Sequence, residues 1–253
     1  MRRGRVLRDR FVVVAMVAIG AAALVPTAAG AATLTFTTAE NPFSDGAYNQ
    51  GWHGSTQAHV PGNDNYFTGD TNLYYLPAEY RSFFTFDLAS LNEDVVAARL
   101  VLKRFNVRSS DASETLGLFD VSTDARRLYY ESDVSPAIFD DLGSGTTYGS
   151  FSISTADDAS GPVELNLSAA AVADINAARG GPFSIGGRIL SLPGGVFGGF
   201  YDEAYFVSLE LETGRRPSTK LDCQQEGWRN LVDDTGRLFE NQGRCVSSIT
   251  ARR

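Results

Sequence analysis

The stretch Arg81-Ser82-Phe83-Phe84-Thr85-Phe86-Asp87-Leu88 constrains the fold more than any other part of the chain. Its side chains alternate with period two. Ser82, Phe84, Phe86 and Leu88 point one way, and Arg81, Phe83, Thr85 and Asp87 point the other. Aromatic and β-branched residues at this density suit a pleated, half-buried surface and suit a helix poorly. The pattern predicts a central strand whose Phe84/Phe86 face lies in the core of a β-sandwich.

The rest of the chain repeats the theme. Alternating runs predict strands over 33–38, 95–107, 115–121, 126–130, 147–154, 163–167, 183–190 and 205–212, with a short one over 65–68. The runs 81–88 and 95–105 read as an antiparallel hairpin. Val172, Ile175 and Ala178 fall at helical spacing, with Ser168 placed to cap the start and Gly180-Gly181 the end. That predicts one helix, over 169–179. Twenty-five glycines and 11% aromatics agree with an all-β chain. Each strand has one apolar face to hide, so the expected architecture is a two-sheet antiparallel sandwich, jelly-roll-like, with one short helix, spanning 32–213.

The first ten residues carry five arginines, an apolar run of 15 residues follows over 11–25, and Ala28-Ala29-Gly30-Ala31-Ala32 supplies small residues. Basic head, short apolar middle and small-residue exit are the order of a signal peptide over 1–31. The apolar run falls short of the ~20 residues a spanning helix needs. The expected product is secreted and free of the membrane once cleaved. The chain carries a formal charge of -8, which becomes -12 without residues 1–31 and their five Arg and one Asp. Such a product repels phosphate backbones, so nucleic acid is not an expected partner.

Residues 39–79 hold turn formers at high density together with Trp52, His53, Tyr66, Tyr74 and Tyr75. Long loops rich in aromatics are ordered and suited to binding. Trp52, His53, Asn65, Tyr66, Tyr74 and Tyr75 are therefore the candidate ligand-binding residues, the aromatics as a stacking platform for sugar rings. Packing within the loops explains the same aromatics. Asp64, Asp70 and Asn72 can supply oxygen ligands to a structural calcium ion, although Asx-turns explain them equally well. No other cofactor is expected. His53 and His59 are the only histidines, too few for the common zinc sites. No nucleophile-elbow motif accompanies them. Glu114, Glu164, Asp202 and Glu203 could serve a hydrolase or lyase, but acidic residues are abundant here and nothing in the spacing pairs them.

A basic, turn-rich linker over 214–220 leads to a tail over 221–253 that holds both cysteines, Cys223 and Cys245. An even cysteine count in an exported chain predicts one disulfide, and so short a segment needs a staple. The tail bears a net positive charge, suited to the acidic domain or to an anionic wall polymer, although a solvated appendage explains the charge equally well.

The run Asn63-Asp64-Asn65-Tyr66, the strand 81–88 and Ala97-Ala98-Arg99-Leu100-Val101-Leu102, followed by a strand-helix-strand segment over 163–189, resemble secreted bacterial β-sandwich domains related to the alginate-binding type of carbohydrate-binding module. Residues 138–149 and 166–176 resemble exported bacterial proteins without an assigned role. Gly227-Trp228-Arg229-Asn230 and the segment 239–246 resemble a short C-terminal module of secreted bacterial proteins. The resemblance covers about 50–212 and implies the fold and an exported setting. Taken together, the expectation is a secreted, non-enzymatic protein that binds a glycan or a cell-wall or extracellular matrix polymer. The alternative is a structural or surface-interaction protein with no small ligand, and a carboxylate-dependent polysaccharide enzyme ranks third.

Overall fold

The computed structural model describes residues 32–39, 43, 49–62, 65–70, 78–155, 161–198, 206–233 and 237–251. The signal peptide expected over 1–31 lies outside them. Among the described residues, twelve strands form two antiparallel sheets. One sheet runs in the order β1 (Ala32–Thr37), β12 (Ser208–Gly214), β5 (Asp94–Leu102) and β9 (Val163–Asn166). The other runs β6 (Asn106–Arg108), β11 (Gly195–Gly198), β3 (Tyr66–Asp70), β4 (Glu79–Asp87), β10 (Pro182–Ile189), β7 (Ser113–Asp120) and β8 (Thr147–Ser154). A further strand, β2 (Gln50–Gly54), pairs with β4.

The two sheets pack face to face over one core. Phe84, Phe86 and Leu88 are buried in it, as their alternation predicts. Across the larger sheet Phe86 stands opposite Phe183, and Phe84 opposite Ile185. The smaller sheet answers with a row in register: Leu165, Leu100, Leu209 and Phe36. Neighbours in a sheet are mostly distant in the chain, as a jelly-roll-like sandwich requires.

The expected hairpin of 81–88 with 95–105 does not form. β4 pairs with β10, β2 and β3, whereas β5 lies in the opposite sheet between β12 and β9. The reason is apolar burial. The Phe84/Phe86 face and the Leu100/Leu102 face each need an apolar partner, and placing them on facing sheets lets each cover the other. The 95–107 run also divides: the chain leaves one sheet after Leu102 and joins the other as β6. The crossing is pinned by the Tyr66 hydroxyl, which donates to the Lys103 carbonyl at 2.8 Å, and by Arg104, whose Nε donates to the Gly161 carbonyl at 2.6 Å.

Four short α-helices appear among the described residues where one was expected. The expected one is α3 (Ala169–Ala177), capped by Ser168. It closes one end of the sandwich: the Asn176 side chain donates to the Val95 carbonyl and accepts from the Val95 amide, both at 2.9 Å. The run 126–130, expected as a strand, is instead α1 (Ala125–Tyr130), whose cap Asp124 accepts from the Arg127 amide. α2 (Pro136–Asp141) follows, with Ser135 as cap and Pro136 at its first position. Each of these helices has only six residues, too short for a hydrophobic period to show. α4 (Gln242–Ala251) ends the described chain.

α1 and α2 explain the other face of β4. Phe83 points away from the main core and is fully buried in a second cluster with Leu128, Ile138 and Leu142. A strand expected to hide one face hides both. The helices lie close because residue 186 of β10 has no side chain: a Cβ at Gly186 would sit 2.5 Å from the Leu142 carbonyl oxygen.

In the tail, a disulfide joins Cys223 to Cys245, and Leu231 and Phe239 are buried around it. The segment 214–220 docks on the sandwich. Arg216 pairs with Asp94 of β5 at 2.5 Å, Arg179 pairs with the same carboxylate at 2.8 Å, and Arg215 bridges to Leu231.

Two outcomes are expected. Gly186→Val forces the end of α2 off the sheet and costs roughly 1–3 kcal/mol, read as a lower midpoint in urea unfolding. Reducing the disulfide removes about 3 kcal/mol of constraint on the tail, read as faster proteolysis of 221–253 with the sandwich still folded.

Candidate functional site

Among the described residues, those singled out from the sequence do not form one open surface. Trp52 and His53 lie on β2 and not on a loop. Trp52 is half-buried, edge-on to Tyr80 at 4.8 Å between ring centroids, and its Nε1–H donates to Asn65 Oδ1 at 3.2 Å. Tyr66 is fully buried against Phe84, and burial pushes its phenol well above the ordinary tyrosine range. It supports the core and is not open to a sugar ring. Asp70 donates its amide to the Gly194 carbonyl at the end of β3. Asp64, Asn72, Tyr74 and Tyr75 lie outside the described residues. No group of three or more His, Cys, Asp or Glu side chains able to hold a metal gathers among the described residues. Glu114 is buried within the larger sheet, while Glu164 pairs with Arg99 on the smaller one, so these two do not face each other across a cleft.

Two polar constellations were not foreseen. The first holds α1 and α2 on the sheet. A helix leaves its last carbonyls without intrahelical partners. At the end of α1, His53 Nε2 lies 2.9 Å from the Leu128 carbonyl and His59 Nε2 lies 3.0 Å from the Tyr129 carbonyl. At the end of α2, Arg81 Nη1 donates to the Phe139 carbonyl at 2.9 Å, and its guanidinium lies 4.0 Å from the centre of the Phe139 ring. Arg81 also donates to Glu79 at 3.1 Å, and Arg188 approaches the same carboxylate oxygen at 3.4 Å. Burial lowers the pKa of His53, against the opposing pull of the Leu128 carbonyl and the Glu131 charge. Burial, then the neighbouring His53, lowers His59 to about 4. Asp141 ties the arrangement to the end of β7. Burial works against its charge, but hydrogen bonds from the hydroxyls and amides of Thr123 and Ser122 bring its carboxyl below the ordinary range.

The second constellation is a cleft of about 340 Å³ where the start of α1, the helix α3 and the ends of β7 and β10 meet. Asp120, Asp124, Asp174, Tyr148, Thr123 and Ser184 supply its polar lining, and Pro182 and Phe183 part of its apolar wall. Each aspartate commits one oxygen to the fold. Asp120 Oδ1 accepts from the Thr146 amide at 2.6 Å, Asp124 Oδ1 caps α1, and Asp174 Oδ2 accepts from the Tyr148 hydroxyl at 2.8 Å. The second oxygen of each makes no hydrogen bond among the described residues. Burial, the bond to Asp174 and the charges of Asp174 and Asp120 hold the Tyr148 phenol far above its ordinary value. At neutral pH it is a hydrogen-bond donor and not a base. The one local signal for this site was Asp124, a good N-cap before Ala125. Tyr148 and Asp174 are 26 residues apart, and nothing in the sequence pairs them.

No family model matches the chain, and no curated protein does. Among solved structures, the K1 cleaved adhesin domain of Lys-gingipain from Porphyromonas gingivalis W83 aligns with 72% of this chain and 99% of its own, at 12% identity and a TM-score of 0.30.

The two constellations differ in what substitution should do. Arg81→Leu leaves the end of α2 without its donor and Glu79 with Arg188 alone, and should destabilise by roughly 3 kcal/mol in urea unfolding. Tyr148→Phe deletes one hydrogen bond and should cost about 1 kcal/mol.

Proposed function

We propose that this chain is an exported, non-enzymatic β-sandwich that binds a glycan or extracellular polymer in the cleft between α1, α3 and the ends of β7 and β10. The observation that carries this reading is the set of spare carboxylate oxygens on Asp120, Asp124 and Asp174 around one cleft. Carboxylates accept strong hydrogen bonds from hydroxyl groups, and Tyr148, Thr123 and Ser184 add further hydroxyls to the lining. A concave site with an apolar wall and a few convergent polar groups is the usual form of a small-ligand site. The same three charges repel uronate or sulfate groups, so the reading favours neutral or amino-bearing sugars over anionic polymers. Export is supported by the order of basic, apolar and small residues over 1–31 and by the disulfide, which belongs to oxidising compartments.

Affinity pull-down and calorimetry of the chain against β-glucan, chitosan and alginate test the proposal. Retention on β-glucan or chitosan exceeding that on alginate is expected. Asp120→Asn with Asp174→Asn should weaken binding tenfold or more, since each lost charge-assisted bond is worth about 1.5–3 kcal/mol. Retention of no polymer leaves the surface-interaction reading in its place. Release of reducing or unsaturated ends establishes an enzyme.

A further inference from the structure

The chain's two histidines are both buried and lie side by side between β2 and α1, with ring centroids 5.0 Å apart. Each faces a carbonyl at the end of the same short helix. His59 is doubly constrained, because its Nδ1 also lies 3.1 Å from the Trp52 carbonyl. A neutral imidazole carries one N–H, so one of its two carbonyls meets a nitrogen lone pair. The opposite end of α1 carries Asp124 and Ala125, which line the cleft. We infer that His53 and His59 form a proton-operated latch that holds α1 on the larger sheet and, through α1, controls the cleft. The control of binding rests on the proposed role of the cleft; the latch does not.

The sign follows from what surrounds the pair. Opposing charge comes from Glu131 at the end of α1, itself 3.6 Å from Arg127. Arg81 stands opposite His53 in the β2–β4 register, its charge shared with Glu79 and with Asp140 of α2. Arg126 turns toward the Tyr130 ring. Phe83 packs on both imidazoles, and Tyr129 and Trp52 flank His59. The loop 55–62 brings no charge. Protonating His59 would satisfy both of its carbonyls and would place a cation near the negative end of α1, which favours the charge modestly. Against this stands the larger penalty for a buried cation, raised further for His59 by the second imidazole. The penalty wins. In the released state both rings reach water and bind protons at their ordinary value. The latch is therefore fully closed above about pH 6.5 and loses ground as the pH falls toward 4. For His59 alone, the released population at pH 5 rises about twentyfold over that at pH 7.

Proton NMR of the whole chain tests this directly, because two histidines give two imidazole signals. Both midpoints are expected below 6.5, that of His59 well below, with amide exchange over 125–131, corrected for its intrinsic rate, rising at least tenfold from pH 7 to pH 5. Exchange in β10 should hold steady. His53→Gln with His59→Gln should flatten the response. Should that variant not fold, Glu131→Gln serves instead and should lower the His53 midpoint further. Midpoints near 6.5, or exchange over 125–131 that ignores pH, would overturn the latch. A pH-responsive α1 in a chain that retains no polymer at pH 7 upholds the latch and removes the cleft's proposed role. Retention unchanged from pH 7 to pH 5 while α1 responds removes the link between them.

Discussion

Everything in this molecule hangs on the burial of both faces of β4. Phe84 and Phe86 close the main core, while Phe83, the residue before them, faces a separate cluster on the outer side. An eight-stranded sheet facing water on that side would leave Phe83 and a buried arginine exposed. The cover is supplied by a helical excursion between β7 and β8. Isolated helices of six residues are not stable in water, so α1 and α2 exist because the sheet holds them.

The sheet holds them by their carbonyl ends. His53, His59 and Arg81 come from β2, the loop after it and β4, and all three are directed at carbonyls in the last turns of the two helices, where intrahelical partners run out. Apolar packing alone would leave those carbonyls desolvated at a cost of about 1–3 kcal/mol each. Polar side chains in the sheet are thus a condition of the apolar cluster beside them. Gly186 completes the arrangement by allowing the chain around Leu142 to approach β10. The other end of α1 borders the cleft, where its cap Asp124 is one of the three lining aspartates.

Charge is distributed with some economy. Asp94 receives both Arg179, at the end of the α3 segment, and Arg216, in the linker, so one carboxylate ties together the end of the sandwich and the segment that leads to the disulfide-bonded tail. On the smaller sheet Arg99 lies between Glu164 and Glu210. The aspartates of the cleft lack such partners among the described residues; each holds only the single hydrogen bond that positions it.

The alternation of apolar residues was enough to determine the class of fold, the direction of each face of β4, and the location of β7, β8, β9, β10 and α3. A side chain's face follows from a period of two or 3.6, and the period is local information. What pairs with what was not local. The hairpin inferred for 81–88 and 95–105 failed because both segments carry an apolar face, and sequence cannot say whether two such faces sit side by side or opposite each other. Trp52 and Tyr66 resembled a binding platform because aromatics in a turn-rich stretch look exposed; one is half-buried on a strand and the other is sealed in the core. Tyr148 with Asp174, His59 with Tyr129, and Arg81 with Phe139 came together only in three dimensions. Hydrogen bonds and ion pairs act over a few ångströms and leave no period in the chain, whereas burial of every second side chain does.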